Sequence, residues 1–137
     1  MERSQPADRT PPLSPFHDPD RWICENEHAF AILDAYPVSD GHTLVVPKRA
    51  ASSTAQLSAA ELLSCFELIE RVKTALVRDK DAAGFNVGVN EGIAAGQTVD
   101  QLHFHVIPRY PGDLPNPVGG VRNIFPGKGD YLAGEDG

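Results

Sequence analysis

The 137-residue chain lacks the features that define several broad classes of protein. Its two cysteines, Cys24 and Cys65, are too few for a disulfide framework and do not form a Cys-x-x-Cys pair. No apolar run approaches the roughly 20 residues that a helix needs to span a bilayer. The 12 basic residues are outnumbered by 19 acidic ones, and the net charge of -7 argues against a broad electrostatic contact with nucleic acid or an anionic membrane.

The beginning of the chain also lacks an apolar stretch like that of a secretory signal peptide. We therefore expect a cytoplasmic protein, and 137 residues correspond to one globular domain. Of the 12 prolines, five lie in the first 20 residues and five lie at or after Pro108, with none between Pro47 and Pro108. This distribution predicts an irregular N-terminal arm at residues 1–20, an ordered domain at residues 21–110 and an irregular C-terminal tail at residues 111–137.

The pattern of apolar residues in the ordered region predicts both strands and a helix. Two β-prone runs, residues 28–34 and 42–46, flank a loop that contains Gly41, which is typical of a hairpin. Ser58 followed by Glu61 has the spacing of a helical capping box. Apolar residues then recur at helical spacing: Leu62, Phe66, Ile69, Val72 and Leu76.

Residues 85–90 alternate strictly between apolar and small or polar side chains, as a half-buried strand does. The apolar residues are predicted to face the core: Phe85, Val87 and Val89. The opposite face carries Asn86, Gly88 and Asn90. Together these segments predict an α+β fold with an antiparallel sheet of about five strands and one long helix packed on one face.

The last strand-like run, residues 101–107, has two faces of different chemistry. Side chains alternate along a strand, so the apolar residues should face the core: Leu102, Phe104 and Val106. The polar residues should stand in a row on the opposite surface: Gln101, His103 and His105. Pro108 cannot donate to a central ladder and is expected to end the strand.

A loop of small residues, 92–99, precedes this strand and suits a phosphate. Its two glycines allow backbone N–H groups to approach a ligand, and Gln97 and Thr98 add an amide and a hydroxyl. A neutral imidazole, with a reference pKa of about 6.5, can attack an electrophilic phosphorus at neutral pH. The pattern therefore favours a histidine nucleophile.

Residues 96–109, Gly-Gln-Thr-Val-Asp-Gln-Leu-His-Phe-His-Val-Ile-Pro-Arg, resemble the signature of the histidine-triad (HIT) superfamily of nucleotide hydrolases and transferases. Residues 30–34, 40–47 and 85–92 are also similar to that family, in its usual order. The likeness covers roughly residues 21–110, which makes chance a poor explanation. It implies the family's fold and a homodimer whose sheets join across a two-fold axis.

The resemblance also implies a role for each polar residue of the motif. His103 matches the histidine that attacks the α-phosphorus of a nucleotide and forms a nucleotidyl-histidine intermediate. His105 would bind a non-bridging phosphate oxygen, and His42 would support the phosphate site from the neighbouring strand. The remaining substrate contacts would come from Asp34 at a ribose hydroxyl, and from Asn90, Gln97 and Thr98 at or near the phosphates. Independently of the resemblance, Arg109 follows the motif directly and could meet a distal phosphate.

The chain departs from the family pattern at Gln101, where the first histidine of the triad usually stands. An amide forms hydrogen bonds but does not transfer a proton. We expect an active enzyme in which Gln101 is a hydrogen-bonding positioner. The Cys-x-x-Cys zinc site of some family members is missing, so no metal site is predicted. The covalent step requires no cofactor, although Mg²⁺ could accompany a polyphosphate substrate.

These inferences predict a hydrolase of a nucleoside phosphate derivative, either a dinucleoside polyphosphate such as diadenosine tetraphosphate or a nucleoside phosphoramidate. Two alternatives stay open. The first is a nucleotide-binding module whose chemistry was lost with the change at Gln101. The second is a metal-dependent enzyme with His103 and His105 as ligands, for which a third ligand is hard to nominate because no acidic residue follows on that strand face.

Overall fold

Residues 13–136 are described by a computed structural model, with the side chains of residues 134–136 excepted. In this part of the chain, five strands form one antiparallel sheet in the order β1-β2-β3-β5-β4. The strands are β1 (Trp22–Glu25), β2 (Ala29–Leu33), β3 (Thr43–Pro47), β4 (Gly84–Val89) and β5 (Phe104–Arg109), and the helix α1 is Ala59–Lys80. Short 3₁₀ segments lie at Pro19–Arg21, Thr54–Gln56, Ile93–Ala95, Gly120–Ile124 and Tyr131–Asp136. The predicted arrangement of one long helix on a five-stranded antiparallel sheet is confirmed.

Helix α1 begins at the capping box that the sequence predicts. The Ser58 hydroxyl accepts the Glu61 N–H at 3.1 Å, and the Glu61 carboxylate accepts the Ser58 N–H at 2.8 Å. The residues buried along the apolar stripe are Cys65, Leu68, Ile69, Val72 and Leu76. Phe66, predicted to lie in this stripe, is 50% exposed, because the stripe in contact with the sheet passes through its neighbour Cys65 instead. None of the helices among the described residues is long and apolar enough to cross a bilayer.

The two central hairpin strands and β4 agree with the sequence patterns, whereas β1 and the end of β5 do not. β1 was not predicted, since its four residues are too short a run to show a period. Pro108 was predicted to end the last strand, yet β5 continues to Arg109. The Pro108 carbonyl accepts the Ser39 hydroxyl at 2.8 Å, so the edge of Pro108 that lacks an N–H faces the turn that contains Ser39. It does not face β3, because the pairing of β3 with β5 ends at Thr43 and Val106.

The sheet is apolar on both faces. One face packs under α1 and forms the main core. The other carries a second apolar cluster: Phe30, Ile32, Leu44 and Val46, with Phe16 and Trp22 packed against it. Phe16 belongs to the predicted N-terminal arm, so part of that segment covers the sheet. His103 and His105 lie on this second face, beside the cluster.

Gly41 allows α1 to approach the turn that precedes His42. Its φ of +95° lies in the left-handed region, and a Cβ there would come within 2.7 Å of a Leu76 methyl group. Only glycine combines that backbone conformation with this contact at little cost. The turn that carries His42 is thereby fixed against the helix.

Candidate active site

Three of the predicted histidines meet on the sheet face opposite the helix. His105 lies in β5, paired with Leu44 of β3 on one side and Gly88 of β4 on the other. His103 precedes β5, and its ring centroid lies 5.0 Å from that of His105. His42, the residue before β3, is 3% exposed, and its Nε2 lies 2.9 Å from Nδ1 of His105. His103 and His105 lie on the same face of the sheet, as the alternation predicts, although His103 stands one residue before β5.

The tautomer of His103 follows from its contact with the main chain. Nδ1 of His103 lies 2.9 Å from the carbonyl oxygen of Gln101. A carbonyl can only accept a hydrogen bond, so Nδ1 carries the proton of the neutral ring. Nε2 of His103 therefore holds a free lone pair, which is the state that a nucleophile requires.

A second main-chain contact fixes the tautomers of His42 and His105. The N–H of Val38 donates to Nδ1 of His42 at 3.1 Å, so the neutral His42 ring carries its proton at Nε2. Nε2 of His42 then donates to Nδ1 of His105. The proton of His105 must in turn lie on Nε2, where it is free to donate to a ligand. His103 thus offers a lone pair and His105 offers a donor side by side.

Burial keeps the His42 and His105 pair neutral. Burial, with smaller contributions from nearby His103 and His42, lowers the pKa of His105 to about 4, while Asp34 acts in the opposite direction. Burial also lowers the pKa of His42, again with Asp34 acting in the opposite direction. At neutral pH both rings therefore keep the tautomers that their hydrogen bonds select.

A cleft of about 870 Å³ opens beside His42 and His105. β4 and the residue after it contribute Asn86, Gly88 and the predicted Asn90 to the lining. The C-terminal tail contributes Val121, Ile124 and Phe125, which are 61%, 79% and 68% exposed. A Cβ added at Gly88 would meet no atom within 4 Å, so the glycine leaves open space opposite His105. The described lining contains no lysine, arginine, aspartate or glutamate.

Gln101 does not stand on the exposed face with the histidines, and that prediction is wrong. β5 begins at Phe104, so the alternation does not extend back to Gln101, whose side chain is buried. Its amide nitrogen donates to the carbonyls of Pro47 and Arg49, at 3.2 and 3.0 Å, and its amide oxygen accepts the Ala51 N–H at 3.3 Å. The Gln101 side chain holds the end of β3 and the segment after it, and only the Gln101 carbonyl contacts His103.

Gln97 and Thr98, the predicted phosphate contacts, are not among the residues that line the cleft. The Gln97 amide is engaged within its own loop and the segment after β3. It accepts the Gly92 N–H at 2.8 Å and donates to the carbonyls of Ser52 and Asp100. The part of this loop that reaches the cleft is Ala94 and Ala95.

Arg109, predicted to meet a distal phosphate, is held by other residues. It forms two hydrogen bonds to the Asp113 carboxylate, at 2.8 and 2.9 Å, and a third to Asn86 at 2.7 Å. The Arg109 guanidinium holds the pKa of Asp113 well below its usual range. The charge of Arg109 is therefore already paired, and its role in this structure is to connect β5 to β4 and to the following turn.

Asp34 lies beside His42 and His105, and the three side chains together have the donor atoms of a metal site. Its carboxylate, His42 and His105 each offer one atom, and these atoms lie within 4.8 Å of one another. This set combines Asp34, the residue after β2, with His42 and His105, and it does not contain His103, the other ligand of the metal site considered from the sequence. However, the Val38 N–H requires the proton of His42 to be on Nε2, the nitrogen that faces the other two residues, and a protonated nitrogen does not coordinate a metal. This tautomer favours hydrogen bonding over metal binding.

The contact of Phe16 with His103 has no signal in the sequence. The two ring centroids lie 4.8 Å apart in an edge-on arrangement. His17 holds the same segment in place, since its Nε2 donates to the Lys48 carbonyl at 3.1 Å. A single aromatic residue in a proline-rich segment has no periodicity, so only the tertiary structure identifies it as a neighbour of the site.

Comparison with known proteins identifies the fold as that of one family. A family model, the HIT domain, matches residues 16–112. An uncharacterized 16.1 kDa HIT-like protein of Mycoplasma pneumoniae is 46% identical over 88 residues, or 64% of this chain and 61% of that protein. In the solved NitFhit protein of Caenorhabditis elegans, a region 34% identical superposes with a TM-score of 0.69 and covers 75% of this chain and 25% of that one.

Two further relatives have names that state an activity. The asymmetrical bis(5'-nucleosyl)-tetraphosphatase of Schizosaccharomyces pombe is 35% identical over 84 residues, or 61% of this chain and 46% of that protein. The AP-4-A phosphorylase of Mycobacterium tuberculosis is 32% identical over 111 residues, or 80% of this chain and 56% of that protein. The chain thus spans less than two thirds of the length of each of these relatives and of the Mycoplasma protein.

Proposed function

The chain belongs to the HIT family, and from this membership and the site geometry we propose that it hydrolyses a nucleoside phosphate derivative through a covalent nucleotidyl-His103 intermediate. One observation carries the proposal. The hydrogen bond from His103 to the Gln101 carbonyl leaves a lone pair on Nε2, beside a donor on His105. Nucleotidyl transfer needs a nucleophile and, next to it, a hydrogen-bond donor for the developing oxyanion.

In the first step, Nε2 of His103 attacks the α-phosphorus. The new N–P bond forms as the P–O bond to the leaving group breaks, and the leaving group departs with the bonding electron pair. The imidazole of the adduct is then cationic, with a proton on Nδ1 that stays hydrogen-bonded to the Gln101 carbonyl. The Nε2–H of His105 donates to a non-bridging oxygen as negative charge builds up there.

In the second step, water attacks the same phosphorus and the N–P bond breaks. The electron pair of that bond returns to Nε2, so His103 regains its original state. The nucleotide product keeps the oxygen of the water, and one proton of the water passes to solvent or to the leaving group released in the first step. If inorganic phosphate replaced water in this step, the product would be a nucleoside diphosphate. The name of the AP-4-A phosphorylase relative is a reason to test for this product.

The names of two relatives support a dinucleoside polyphosphate as the substrate, and the cleft supports it independently. The cleft extends from His42 and His105, next to His103, to exposed apolar residues of the tail, so it has room and apolar surface beyond the reacting phosphate. A nucleoside phosphoramidate would need only the part near the histidines. The homodimer that the resemblance implies stays a prediction, which light scattering of the purified chain would test.

Trapping of the adduct tests the proposal directly. Diadenosine tetraphosphate labelled at the α-phosphate is mixed with the protein and quenched in alkali, where a phosphorus–imidazole bond survives. We expect label on the wild-type protein and none on His103→Asn, whose turnover should fall by about 10³-fold or more. His28→Asn, at a histidine outside the site, is the matched control and should label normally.

The product panel then separates the competing functions. Dinucleoside polyphosphates and phosphoramidates are compared with and without Mg²⁺ and with and without inorganic phosphate, and the products are identified. Nucleotide binding with no label and no product would overturn the hydrolase and leave the binding module. Activity that disappears in chelator while His103→Asn stays active would instead identify the metal-dependent alternative.

A further inference from the structure

Asp34 occupies a place in the site that the predicted ribose contact does not explain. It follows β2, and its side chain is only 15% exposed. One carboxylate oxygen, Oδ1, accepts the N–H of Tyr36 at 2.8 Å, which closes a local turn. The other, Oδ2, lies 3.3 Å from Nε2 of His42 and 3.9 Å from Nδ1 of His105. Both oxygens thus have protein partners, and one of them faces the hydrogen-bonded histidine pair.

We propose that Asp34 is a positioning residue that acts through His42 and His105: its carboxylate helps to hold the proton on Nε2 of His42 and stabilises the positive character that the pair acquires as His105 binds the reacting phosphate. This inference rests on the proposed function. It adds no covalent step, because the N–P bond still forms at His103 and the proton stays within the imidazole pair. What changes is the electrostatic cost of placing a donor next to a developing oxyanion.

The geometry explains why a carboxylate is useful here. Two neighbours of His105, His103 and His42, lower its pKa and so disfavour its protonated form. Asp34 is the one of these neighbours that favours it, and it acts in the same direction on His42. The nearby Arg21 guanidinium donates to the Leu33 carbonyl at 3.4 Å and does not neutralise Asp34 directly. In a partly buried site such a charge acts more strongly than at an exposed surface.

The proposal makes an unusual kinetic prediction for Asp34→Asn. The variant keeps the shape of the side chain and an oxygen that can accept the Tyr36 N–H, so the local turn should persist. It removes a negative charge beside a phosphate site, so KM should stay the same or fall. We expect kcat to fall about 10-fold, because the charge that favours the donor state of the histidine pair is lost. A merely structural defect would raise KM instead.

Two measurements test this proposal. In the free protein, NMR titration of the imidazoles should show lower pKa values for His42 and His105 in Asp34→Asn than in the wild type. Asp40→Asn is the matched control, since Asp40 lies in the same loop but is exposed and paired with Lys80. Unchanged titration of both histidines in Asp34→Asn would overturn the electrostatic role.

A substrate comparison separates this role from a ribose contact. The kcat loss is measured with diadenosine tetraphosphate and with its analogue lacking the ribose 2' and 3' hydroxyls. If Asp34 acts through the histidines, the loss is the same for both substrates. A loss that appears only with the ribose substrate would overturn the proposal. Because the NMR titration needs no substrate, failure of the adduct experiment on His103 would refute the proposed function without being mistaken for failure of this inference.

Discussion

At the scale of single residues, main-chain atoms decide the chemistry of the histidines. The Val38 N–H and the Gln101 carbonyl select which nitrogen of His42 and of His103 carries the proton. Strand alternation was enough to place His103 and His105 on one face before the structure was known. It could not reveal the tautomers, because these depend on backbone groups brought close by a turn and by the residues just before β5.

The case of Gln101 shows the limit of such patterns. The alternation of polar and apolar residues continues back to Gln101, so the sequence indicates a strand that is longer than the real one. The buried amide finds three main-chain partners around Pro47 to Ala51, and these contacts are not encoded in local periodicity. Tertiary hydrogen bonding of the amide overrides the strand pattern there.

Gly88 gives a residue-scale test of the cleft. A Cβ at this position meets no atom within 4 Å, and valine favours the strand conformation, but its side chain would fill space opposite His105. We expect Gly88→Val to remain folded and to lose at least about 10-fold in kcat/KM, since the reacting phosphate would be displaced from its near-attack position. Circular dichroism and steady-state kinetics measure the two effects.

Gly84→Val is the control for that experiment. Gly84 lies in the same strand outside the cleft, and a Cβ there would make only an ordinary contact, 4.0 Å from the Arg109 side chain. This variant should keep both fold and activity. If Gly88→Val were as active as Gly84→Val, the substrate would have to bind elsewhere than in the cleft beside His105.

At the scale of elements, the strands with a clear period were predicted and those without one were not. β4 alternates over its whole length, and the capping box marks the start of α1, so both were identified from sequence. β1 has only four residues and needs β2 as its partner. The prediction that Pro108 ends β5 is wrong because the cost of a missing N–H depends on what that edge of the strand faces. A local sequence pattern does not contain this information.

The C-terminal tail is the element that should distinguish between leaving groups. The segment from Gly120 to Ile124 is closed by Arg122, whose Nε donates to the Gly129 carbonyl at 3.0 Å, and the exposed ring of Phe125 lines the cleft. We expect Phe125→Ala to raise KM for a dinucleoside polyphosphate about 10-fold, which matches the loss of roughly 1.5 kcal/mol of apolar burial. KM for a phosphoramidate with a small leaving group should not change.

Leu132→Ala is the matched control in the same tail. Leu132 is 72% exposed but does not line the cleft, so its truncation should leave both KM values unchanged. Equal KM values for Phe125→Ala and the wild type with the dinucleotide would show that the second half of the substrate does not contact Phe125.

At the scale of the whole molecule, the histidines couple folding to pH. The pKa of His105 is about 4 in the folded chain and about 6.5 when unfolded, so the unfolded chain binds more protons between these values. The free energy of unfolding should therefore fall as the pH decreases from about 6.5 towards about 4, and His42 contributes in the same direction. Urea unfolding at several pH values in this interval measures the slope.

His105→Asn provides the comparison for that measurement. Asparagine does not titrate, so the variant should show a shallower loss of stability on acidification, even if it is less stable at neutral pH. Parallel curves for the two proteins would mean that His105 is not the group responsible.

The absence of ionised side chains from the described lining of the cleft has a consequence for how a substrate arrives. The protein as a whole carries a charge of -7, and the cleft residues that the structure describes offer an incoming polyanion no counter-ion. Mutual repulsion should slow the encounter at low ionic strength. Added salt, or a magnesium ion that travels with the polyphosphate, would weaken this barrier, so association should quicken as electrolyte rises, the reverse of what a basic pocket shows.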